Sequence, residues 1–158
     1  MDEKQPIKTR KMKDTKSDID DVLDIERKAF KQYAWRKCES FRCRIKANHA
    51  FVACKGGEVV GYLLLKSECS GWLLEKMAVK YESQGIGTAL VNWAKCHVGS
   101  ERTTLIRLNV RGQNTRARRL YQKTGFVETG RLGTYTNGDT KIEMTWKSDT
   151  MPTKACDA

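Results

Sequence analysis

Short apolar runs bounded by glycine and polar residues predict six or seven β-strands along this chain. The runs at 49–54 and 58–65 are separated by Lys55-Gly56-Gly57, which predicts a β-hairpin closed by a glycine turn. Ser70-Gly71 is a second turn signal, and the apolar run after it indicates a buried strand. The other strands are predicted at 7–12, 72–79, about 103–110, about 126–132 and about 141–147.

Apolar residues at helical spacing predict helices between these strands. Ser17-Asp18 predicts the first helix start, because a short polar side chain accepts free backbone N–H groups and an acid suits the positive end of the helix dipole. The apolar face of this helix is interrupted only at Glu26. Further helices are predicted at about 35–46, from a glycine-bearing loop through about 97, and at about 115–124.

The element order is strand, two helices, three strands, helix, strand, helix and two strands. This order favours an α+β fold with one predominantly antiparallel sheet of six to seven strands, flanked by about four helices. With 158 residues, 39% of them hydrophobic and 31% charged, the chain builds one core and has no room for a second full domain. We therefore predict a single domain over 1–147, with its core at about 7–147, and a short tail at 148–158.

The formal net charge is +11, from 30 Lys and Arg against 19 Asp and Glu. This excess predicts a polyanionic partner such as nucleic acid, or a basic site for a phosphorylated ligand. The basic first 16 residues suit either an arm that binds nucleic acid or an edge strand whose lysines prevent pairing with another chain. The lack of interleaved aromatic residues favours the edge strand.

The sequence favours a cytoplasmic protein with no membrane partner. No apolar run approaches the about 20 residues that a membrane span requires, and the first residues lack an apolar signal segment. The six cysteines contain no CxxC pair and there are only two histidines, so no metal site is predicted. A chain of this length does not need a disulfide framework, and free thiols are expected.

The segment 77–90 carries the strongest chemical signal, because Gln84-Gly85-Ile86-Gly87 leads from a strand directly into a helix. Glycines let the backbone approach a ligand, and the first N–H groups of a helix favour a phosphate or pyrophosphate. A dinucleotide-binding GxGxxG motif is excluded because Leu90 stands at the third glycine position, and the GK[ST] of a P-loop is also missing.

A second loop and helix, at 108–126, complete a recognisable pair of motifs. QGIGTAL at 84–90 resembles the pyrophosphate loop of the GNAT superfamily of acetyl-CoA-dependent N-acetyltransferases, and NxxAxxLYxKxGF resembles its second cofactor-binding segment. The resemblance covers about 49–132 in motif detail and about 7–147 in element order. The second motif consists here of Asn114, Ala117, Leu120, Tyr121, Lys123, Gly125 and Phe126.

The resemblance implies acetyl-CoA as cosubstrate and a set of residues that bind it. The backbone of the strand end should pair with the pantetheine arm as an added strand would, the loop should wrap the pyrophosphate, and the second helix should contact the arm. In the same order, the implied residues are Met77, Ala78 and Val79; Gln84, Gly85, Ile86, Gly87, Thr88 and Ala89; and Asn114, Ala117 and Tyr121.

Two residues are candidates for proton transfer. Tyr121 stands at the family's general-acid position, and a phenol with an ordinary pKa near 10 is protonated at neutral pH. Glu75 interrupts an apolar strand and is the candidate general base, with a water chain to a distant residue as the alternative. Because side chains alternate along a strand, Glu75 should share the face of Met77.

Two positions depart from the family. Glu82 stands where Gln or Arg is usual, which could weaken cofactor affinity locally. Asn109 stands where some enzymes that acetylate ribosomal-protein N-termini carry a glutamate base, which puts that mechanism in doubt.

Charge refines the prediction of the substrates. Five cations at 111–123 suit the phosphates of coenzyme A, and the acids of the first helix suit a cationic amine acceptor: a protein N-terminus, a lysine, a polyamine or an aminoglycoside. The alternatives are a non-catalytic acetyl-CoA sensor and a basic nucleic-acid-binding module, of which the nucleic-acid partner is disfavoured. A homodimer stays open. The cations are Arg111, Arg116, Arg118, Arg119 and Lys123, and the acids are Asp18, Asp20, Asp21, Asp24 and Glu26.

Overall fold

The computed structural model describes residues 5–29, 39–98, 104–135 and 138–148. The strands of these residues are β1 (Ile7–Lys11), β2 (Ala50–Lys55), β3 (Glu58–Glu68), β4 (Gly71–Val79), β5 (Leu105–Arg111), β6 (Val127–Thr134) and β7 (Thr140–Lys147). The helices are α1 (Lys16–Ala29), α2 (Glu39–Lys46), α3 (Ile86–Val98) and α4 (Thr115–Lys123). The predicted order of elements is confirmed. Residues 35–38 of the predicted second helix, and all but the first residue of the predicted tail, lie outside the described residues.

The seven strands form one sheet in the order β1-β2-β3-β4-β5-β7-β6. All neighbours are antiparallel except β4 and β5, which are parallel because α3 crosses over between them. The α+β fold is therefore confirmed. The basic strand β1 lies at one edge, and Gly56 and Gly57, both at positive φ, form the two-residue turn between β2 and β3.

Each face of the sheet buries its own apolar cluster. On one side, called the α3/α4 face, residues of α3 and α4 such as Leu90 and Tyr121 pack on Leu63, Leu108 and other alternate strand residues. On the other side, the α1/α2 face, Val22 and its neighbours in α1 pack on Tyr62 and Leu64. The adjacent residues Leu63 and Leu64 thus serve opposite faces, as strand alternation requires.

The first helix begins two residues earlier than a cap at Ser17 predicts. The Asp18 backbone N–H donates to Thr15 Oγ1 at 3.3 Å, so Thr15 caps the helix in place of Ser17-Asp18. The Asp18 carboxylate instead accepts two hydrogen bonds from Arg10, at 2.7 and 2.8 Å, and one from the Lys13 backbone at 2.8 Å. These bonds hold the pKa of Asp18 below its usual value and tie α1 to the edge strand β1.

Two irregularities in β4 shape the centre of the sheet. A β-bulge places Glu75 between Leu74, which pairs with Leu65, and Lys76, which pairs with Leu64. On its other side β4 pairs with β5 only at Trp72–Ile106 and Leu73–Arg107. Beyond these two pairs the strands diverge. The resulting opening, between 74–79 of β4 and 108–111 of β5, is called the β4–β5 gap.

The cysteine prediction is only partly correct. Cys43, Cys54 and Cys69 have free thiols, as expected. Cys96 is disulfide-bonded, contrary to the expectation of free thiols throughout.

In the part of the chain that the structure describes, no helix has the length and apolar character to cross a membrane, and no cluster of metal-ligating side chains occurs.

Two histidines should make the fold acid-sensitive. His49 and His97 pack edge-on against Trp72 and Phe51, with ring centroids 4.7 and 4.8 Å apart. Burial lowers both pKa values, helped at His49 by Arg44 and at His97 by His49 and Lys11. The unfolded chain therefore binds more protons than the folded chain as pH falls toward and below about 6.5, so stability is lost in that window. We expect the thermal midpoint to fall between pH 7 and pH 5.

This acid sensitivity can be assigned to the histidines by substitution. His49→Gln together with His97→Gln should flatten the dependence of the midpoint on pH above 5, whatever its effect on the midpoint at pH 7. Asp18 contributes only at lower pH, because its folded-state pKa lies below its usual value. An unchanged slope in the double variant would contradict the assignment.

Candidate active site

The glycine loop before α3 presents free backbone N–H groups at the surface. Ser83 and Gly85 have φ values of 60° and 77°, and the first helical bond runs from Ala89 N to Gly85 O at 3.0 Å. The N–H groups of Ile86, Gly87 and Thr88 therefore precede the intrahelical bonding. A Cβ placed at Gly85 would meet nothing within 4 Å, so the loop borders open space. This arrangement can bind a phosphate through backbone donors and the helix dipole.

The second glycine of the loop serves packing. A Cβ at Gly87 would lie 2.8 Å from Leu120 Cδ1 and 3.6 Å from Met77 Cε. Gly87 thus lets α3 approach α4 and the end of β4 closely. The sequence motif suggested that the backbone approaches a ligand at both glycines. At Gly87 the missing side chain instead allows close packing of the helix. The Gln84 side chain accepts a hydrogen bond from Lys55 Nζ at 3.2 Å, which links the loop to β2.

The second motif places its asparagine at the start of α4. Asn114 is the N-cap, and its Oδ1 accepts the Ala117 backbone N–H at 3.2 Å. The side-chain oxygen is therefore used by the helix, and its NH₂ group is left for a ligand. Ala117 is half-buried and packs with Leu120 on the α3/α4 face. The sequence interpretation of Asn114 as a ligand contact missed this capping role, although Asn immediately before a helix is a standard capping signal.

The predicted pantetheine strand lies along the β4–β5 gap. Met77, Ala78 and Val79 pair on one side with Leu63, Tyr62 and Gly61 of β3. On the gap side they have no strand partner among the described residues. An extended ligand that lies along β4 can form hydrogen bonds with the main chain of this edge, as an added strand would.

Tyr121 lies on the α3/α4 face with its ring 5.7 Å from that of Phe126. Only 7% of the residue is exposed, and burial raises the pKa of the phenol well above its usual value. Its hydroxyl has no hydrogen-bond partner within the described ranges. A protonated phenol without an internal acceptor is free to donate to a ligand.

Glu75 does not share the face of Met77, and that prediction is wrong. The bulge resets the alternation, so Leu74 and Met77 share the α3/α4 face while Glu75 binds Arg44 of α2. Arg44 Nε and Nη2 donate to the two carboxylate oxygens at 2.6 and 3.1 Å, and both side chains are about one-fifth exposed. The arginine was not identified from sequence, because nothing local pairs residues 31 positions apart.

A buried ion pair lies next to this one on the α1/α2 face. Glu26 is fully buried and accepts hydrogen bonds from Lys76 Nζ and from the Tyr62 hydroxyl, the latter at 3.5 Å. The Tyr62 pKa is raised, mainly by burial and also by the Glu26 charge. The interruption of the apolar face at Glu26, noted in the sequence, thus marks a buried charge with partners on β3 and β4.

The charges at the mouth of the loop are mostly paired. Arg116 binds Glu82, so the acid that departs from the family pattern bridges the glycine loop to the start of α4. Arg118 binds Glu128 and the Gly112 carbonyl, and the Arg111 guanidinium stacks on the Tyr135 ring at 4.8 Å. Arg119 and Lys123 are exposed.

The acids of α1 are also mostly paired, and Asp24, for example, is bound to Lys28. Only Asp20 and Asp21 are exposed without a partner among the described residues.

Comparison with known proteins gives a consistent result. The profile of the acetyltransferase (GNAT) family matches residues 18–126. An uncharacterized N-acetyltransferase of Methanocaldococcus jannaschii is 35% identical over 129 residues, which cover 75% of this chain and 78% of that protein.

Solved structures share the fold at low sequence identity. The ribosomal-protein-S18-alanine N-acetyltransferase of Escherichia coli has a TM-score of 0.74 and 20% identity, and the match covers 97% of this chain and 99% of that chain. A PaiA N-acetyltransferase from Thermoplasma acidophilum, solved in complex with coenzyme A, has a TM-score of 0.72 and 18% identity, with coverage of 90% and 99%.

The fold and the glycine loop define an acyltransferase, and the chain belongs to the GNAT family of N-acetyltransferases. The family predicted from QGIGTAL and NxxAxxLYxKxGF is therefore confirmed.

Proposed function

We propose that this enzyme transfers the acetyl group of acetyl-CoA directly to a primary amine within a ternary complex. The observation that carries the proposal is the β4–β5 gap, which ends at the open glycine loop before α3. One side of this opening supplies an unpaired strand edge and the other supplies phosphate-binding N–H groups. Both are features that a long, phosphorylated thioester requires. Acetyl-CoA supplies an activated acetyl thioester when it is bound.

The residues around the opening fit this cosubstrate. The backbone of Met77, Ala78 and Val79 is proposed to pair with its pantetheine amides, and the N–H groups from Gln84 to Ala89 to hold its pyrophosphate. The Asn114 NH₂ group is proposed to contact the same ligand, and the small Ala117 to leave room beside α4. The coenzyme A complex of the PaiA enzyme, which shares the fold, supports coenzyme A as the ligand.

Tyr121 is proposed as the general acid. Its hydroxyl donates a proton to the sulfur as the carbon–sulfur bond breaks and the amine nitrogen bonds to the acetyl carbon. The amine nitrogen loses one proton in this step, and a proton returned to the phenolate restores the enzyme. The products are the acetylated amine and free coenzyme A. The raised pKa of Tyr121 keeps the phenol protonated at neutral pH before the reaction.

Water is proposed to carry the amine proton away. Glu75, the alternative base, has both carboxylate oxygens bound by Arg44. Because both oxygens already bind a guanidinium of α2, Glu75 is assigned to holding Arg44 and the bulge in position. Glu75→Gln removes the base and also one of the two bonds from Arg44, because an amide NH₂ cannot accept a hydrogen bond. Arg44→Gln, which breaks the same pair but keeps the carboxylate, is the variant that separates the two roles.

The acceptor is proposed to approach from the α1/α2 face, opposite to Tyr121 and α4. The exposed Asp20 and Asp21 favour a cationic amine there, either a protein N-terminus or lysine, or a small polyamine or aminoglycoside. The E. coli enzyme of the same fold is named for a ribosomal-protein alanine, which places protein N-termini first in a substrate search.

The proposal is tested by free-thiol release from acetyl-CoA in the presence of separate amines. The panel contains a peptide with a free N-terminal alanine, an internal-lysine peptide with a blocked N-terminus, spermidine and kanamycin. Turnover with any of them supports the proposed function. Acetyl-CoA binding without turnover favours the sensor, and binding of duplex DNA or RNA with steep salt dependence, without acetyl-CoA binding, favours the nucleic-acid module.

Glu82→Gln should tighten acetyl-CoA binding. Glu82 puts a negative charge beside the proposed pyrophosphate site and engages Arg116. Its removal frees that guanidinium for phosphate and ends a repulsion between anions. We expect the acetyl-CoA Kd to fall about threefold to tenfold at low salt, and less at high salt, measured by calorimetry.

A charge-matched control is available on the other side of the molecule. Asp24→Asn removes an exposed acid from α1 that is likewise paired, in this case with Lys28. It should leave the Kd unchanged. An equal gain in both variants would assign the effect to net charge and contradict the local explanation.

A further inference from the structure

One buried polar atom near the β4–β5 gap has no partner. Asn109 Oδ1 is shielded from water and accepts no hydrogen bond. A buried acceptor left unpaired lowers stability, so such atoms are rare in folded proteins. Where they occur, a role in catalysis or binding is one of the few physical explanations.

The strand register places this side chain on the acceptor side of the sheet. Leu108 and Val110, its neighbours in β5, belong to the cluster on the α3/α4 face, so Asn109 points to the α1/α2 face. Tyr121 and the helices proposed to bind the cosubstrate lie on the other side. Asn109 is therefore separated by the sheet from the proposed cosubstrate helices.

The same register places Asn109 across the gap from the bulge. Leu73 of β4 pairs with Arg107 of β5, and two residues further along each strand stand Glu75 and Asn109. The strands have no further pairing beyond this point in the described chain. Asn109 therefore borders the β4–β5 gap, next to the space that an entering ligand would occupy.

The ionic groups around this position already have partners. Glu75 is bound by Arg44, Lys76 by Glu26, and Arg107 by Glu68 at 2.6 and 2.7 Å. Glu143, opposite Asn109 in β7, accepts a hydrogen bond from Thr129 at 2.8 Å. Among the described groups here, Asn109 Oδ1 is thus the buried acceptor with no hydrogen bond at all, and unlike the neighbouring carboxylate of Glu143 it is electrically neutral.

We propose that Asn109 binds the acceptor amine, with Oδ1 accepting a hydrogen bond from the amine N–H. This inference rests on the proposed function and names a residue for its second substrate. A neutral oxygen orients the amine without stabilising its protonated form as strongly as a carboxylate would. The bound amine therefore loses its proton more readily, which the attack on the thioester requires.

Asn109→Leu tests the contact by removing the oxygen while keeping a similar shape. We expect KM for the best amine of the panel to rise tenfold or more, with the acetyl-CoA Kd unchanged. The thermal midpoint of the free enzyme should stay level or rise by about 2 °C, because an unpaired acceptor is lost from the interior. Asn92→Leu, the same change at an exposed position of α3, should alter none of the kinetic values.

Asn109→Asp tests the reason for a neutral side chain. We expect a lower KM for the amine, a lower kcat at pH 7, and a kcat profile shifted about one unit toward alkaline pH. A purely structural asparagine would move the midpoint in both variants but would not shift this profile.

The outcomes separate this inference from the proposed function. Wild-type turnover with an unchanged amine KM in Asn109→Leu overturns the inference alone. A weakened acetyl-CoA Kd in that variant also overturns it, since the oxygen would then serve a pantetheine amide. If no panel amine is turned over, the proposed function fails. Calorimetry then tests the contact without turnover. Spermidine and the N-terminal peptide are each titrated into the coenzyme A complexes of the wild-type protein and of Asn109→Leu. Equal binding to the two complexes, or no binding to either, overturns the inference.

Discussion

Replacement of Tyr121 by phenylalanine should lower kcat by about a hundredfold to ten-thousandfold, which is the range of a lost general acid. The leaving thiolate would then have to take its proton from water. The acetyl-CoA Kd should stay within about twofold of the wild-type value, because the ring remains in its place beside Phe126. Stopped-flow or steady-state thiol release, together with calorimetry of acetyl-CoA, measures both quantities.

The same variant should fold normally. Its ring is buried and its hydroxyl has no partner among the described residues, so phenylalanine preserves the packing. Tyr81→Phe is the matched control, because it removes an exposed hydroxyl that bonds Glu58 at 3.1 Å and should leave kcat near wild type. Full activity of Tyr121→Phe would remove the general-acid role and leave proton donation to solvent.

Gly71→Ala should destabilise the fold by about 2–6 kcal/mol. Gly71 has a φ of 146°, and a Cβ there would lie 2.4 Å from the Leu105 carbonyl oxygen. Strained backbone costs about 1–3 kcal/mol and overpacking against it a further 1–3 kcal/mol. The contact partner is main chain, so no side-chain rotation relieves it. Urea unfolding followed by circular dichroism gives the free energy of unfolding.

The position of Gly71 extends its effect beyond stability. It begins β4 next to the two residue pairs that join β4 to β5. A displacement of Leu105 would loosen that junction, so the variant should also bind acetyl-CoA more weakly. Gly57→Ala is the control, since Gly57 has a φ of 81° with nothing within 4 Å of its Cβ position, and should cost only about 1–2 kcal/mol. Equal losses of unfolding free energy in the two variants would show that the structure relieves the clash with Leu105, and would contradict this prediction.

The fold was largely predictable because its signals are local. Apolar runs, the Gly56-Gly57 turn and two loop motifs each lie within a short stretch of sequence, and together they define the order of the elements. The cap of α1 was misplaced by two residues because Thr15, Ser17 and Asp18 are all good capping residues. Only the tertiary bond from Arg10 explains why Asp18 is turned away from the helix end.

The site was predictable only where it depends on the main chain. The glycine loop and the end of β4 follow from motif and strand position. The face of Glu75 was wrong because the bulge adds one residue to β4, and an apolar pattern does not reveal one extra residue. Arg44 and the Glu82–Arg116 pair join residues far apart in sequence, so their partners emerge only once the sheet is assembled.

The β4–β5 gap also links the lifetime of the protein to its cosubstrate. The gap exists only in the folded chain, so acetyl-CoA bound there as proposed draws the folding equilibrium toward the native state. At a hundredfold excess over Kd this thermodynamic linkage supplies about 2.7 kcal/mol, a large share of the stability of a typical domain. A cell whose acetyl-CoA falls would then hold more unfolded chain open to proteolysis, and its acetylating capacity would decline through abundance as well as through rate.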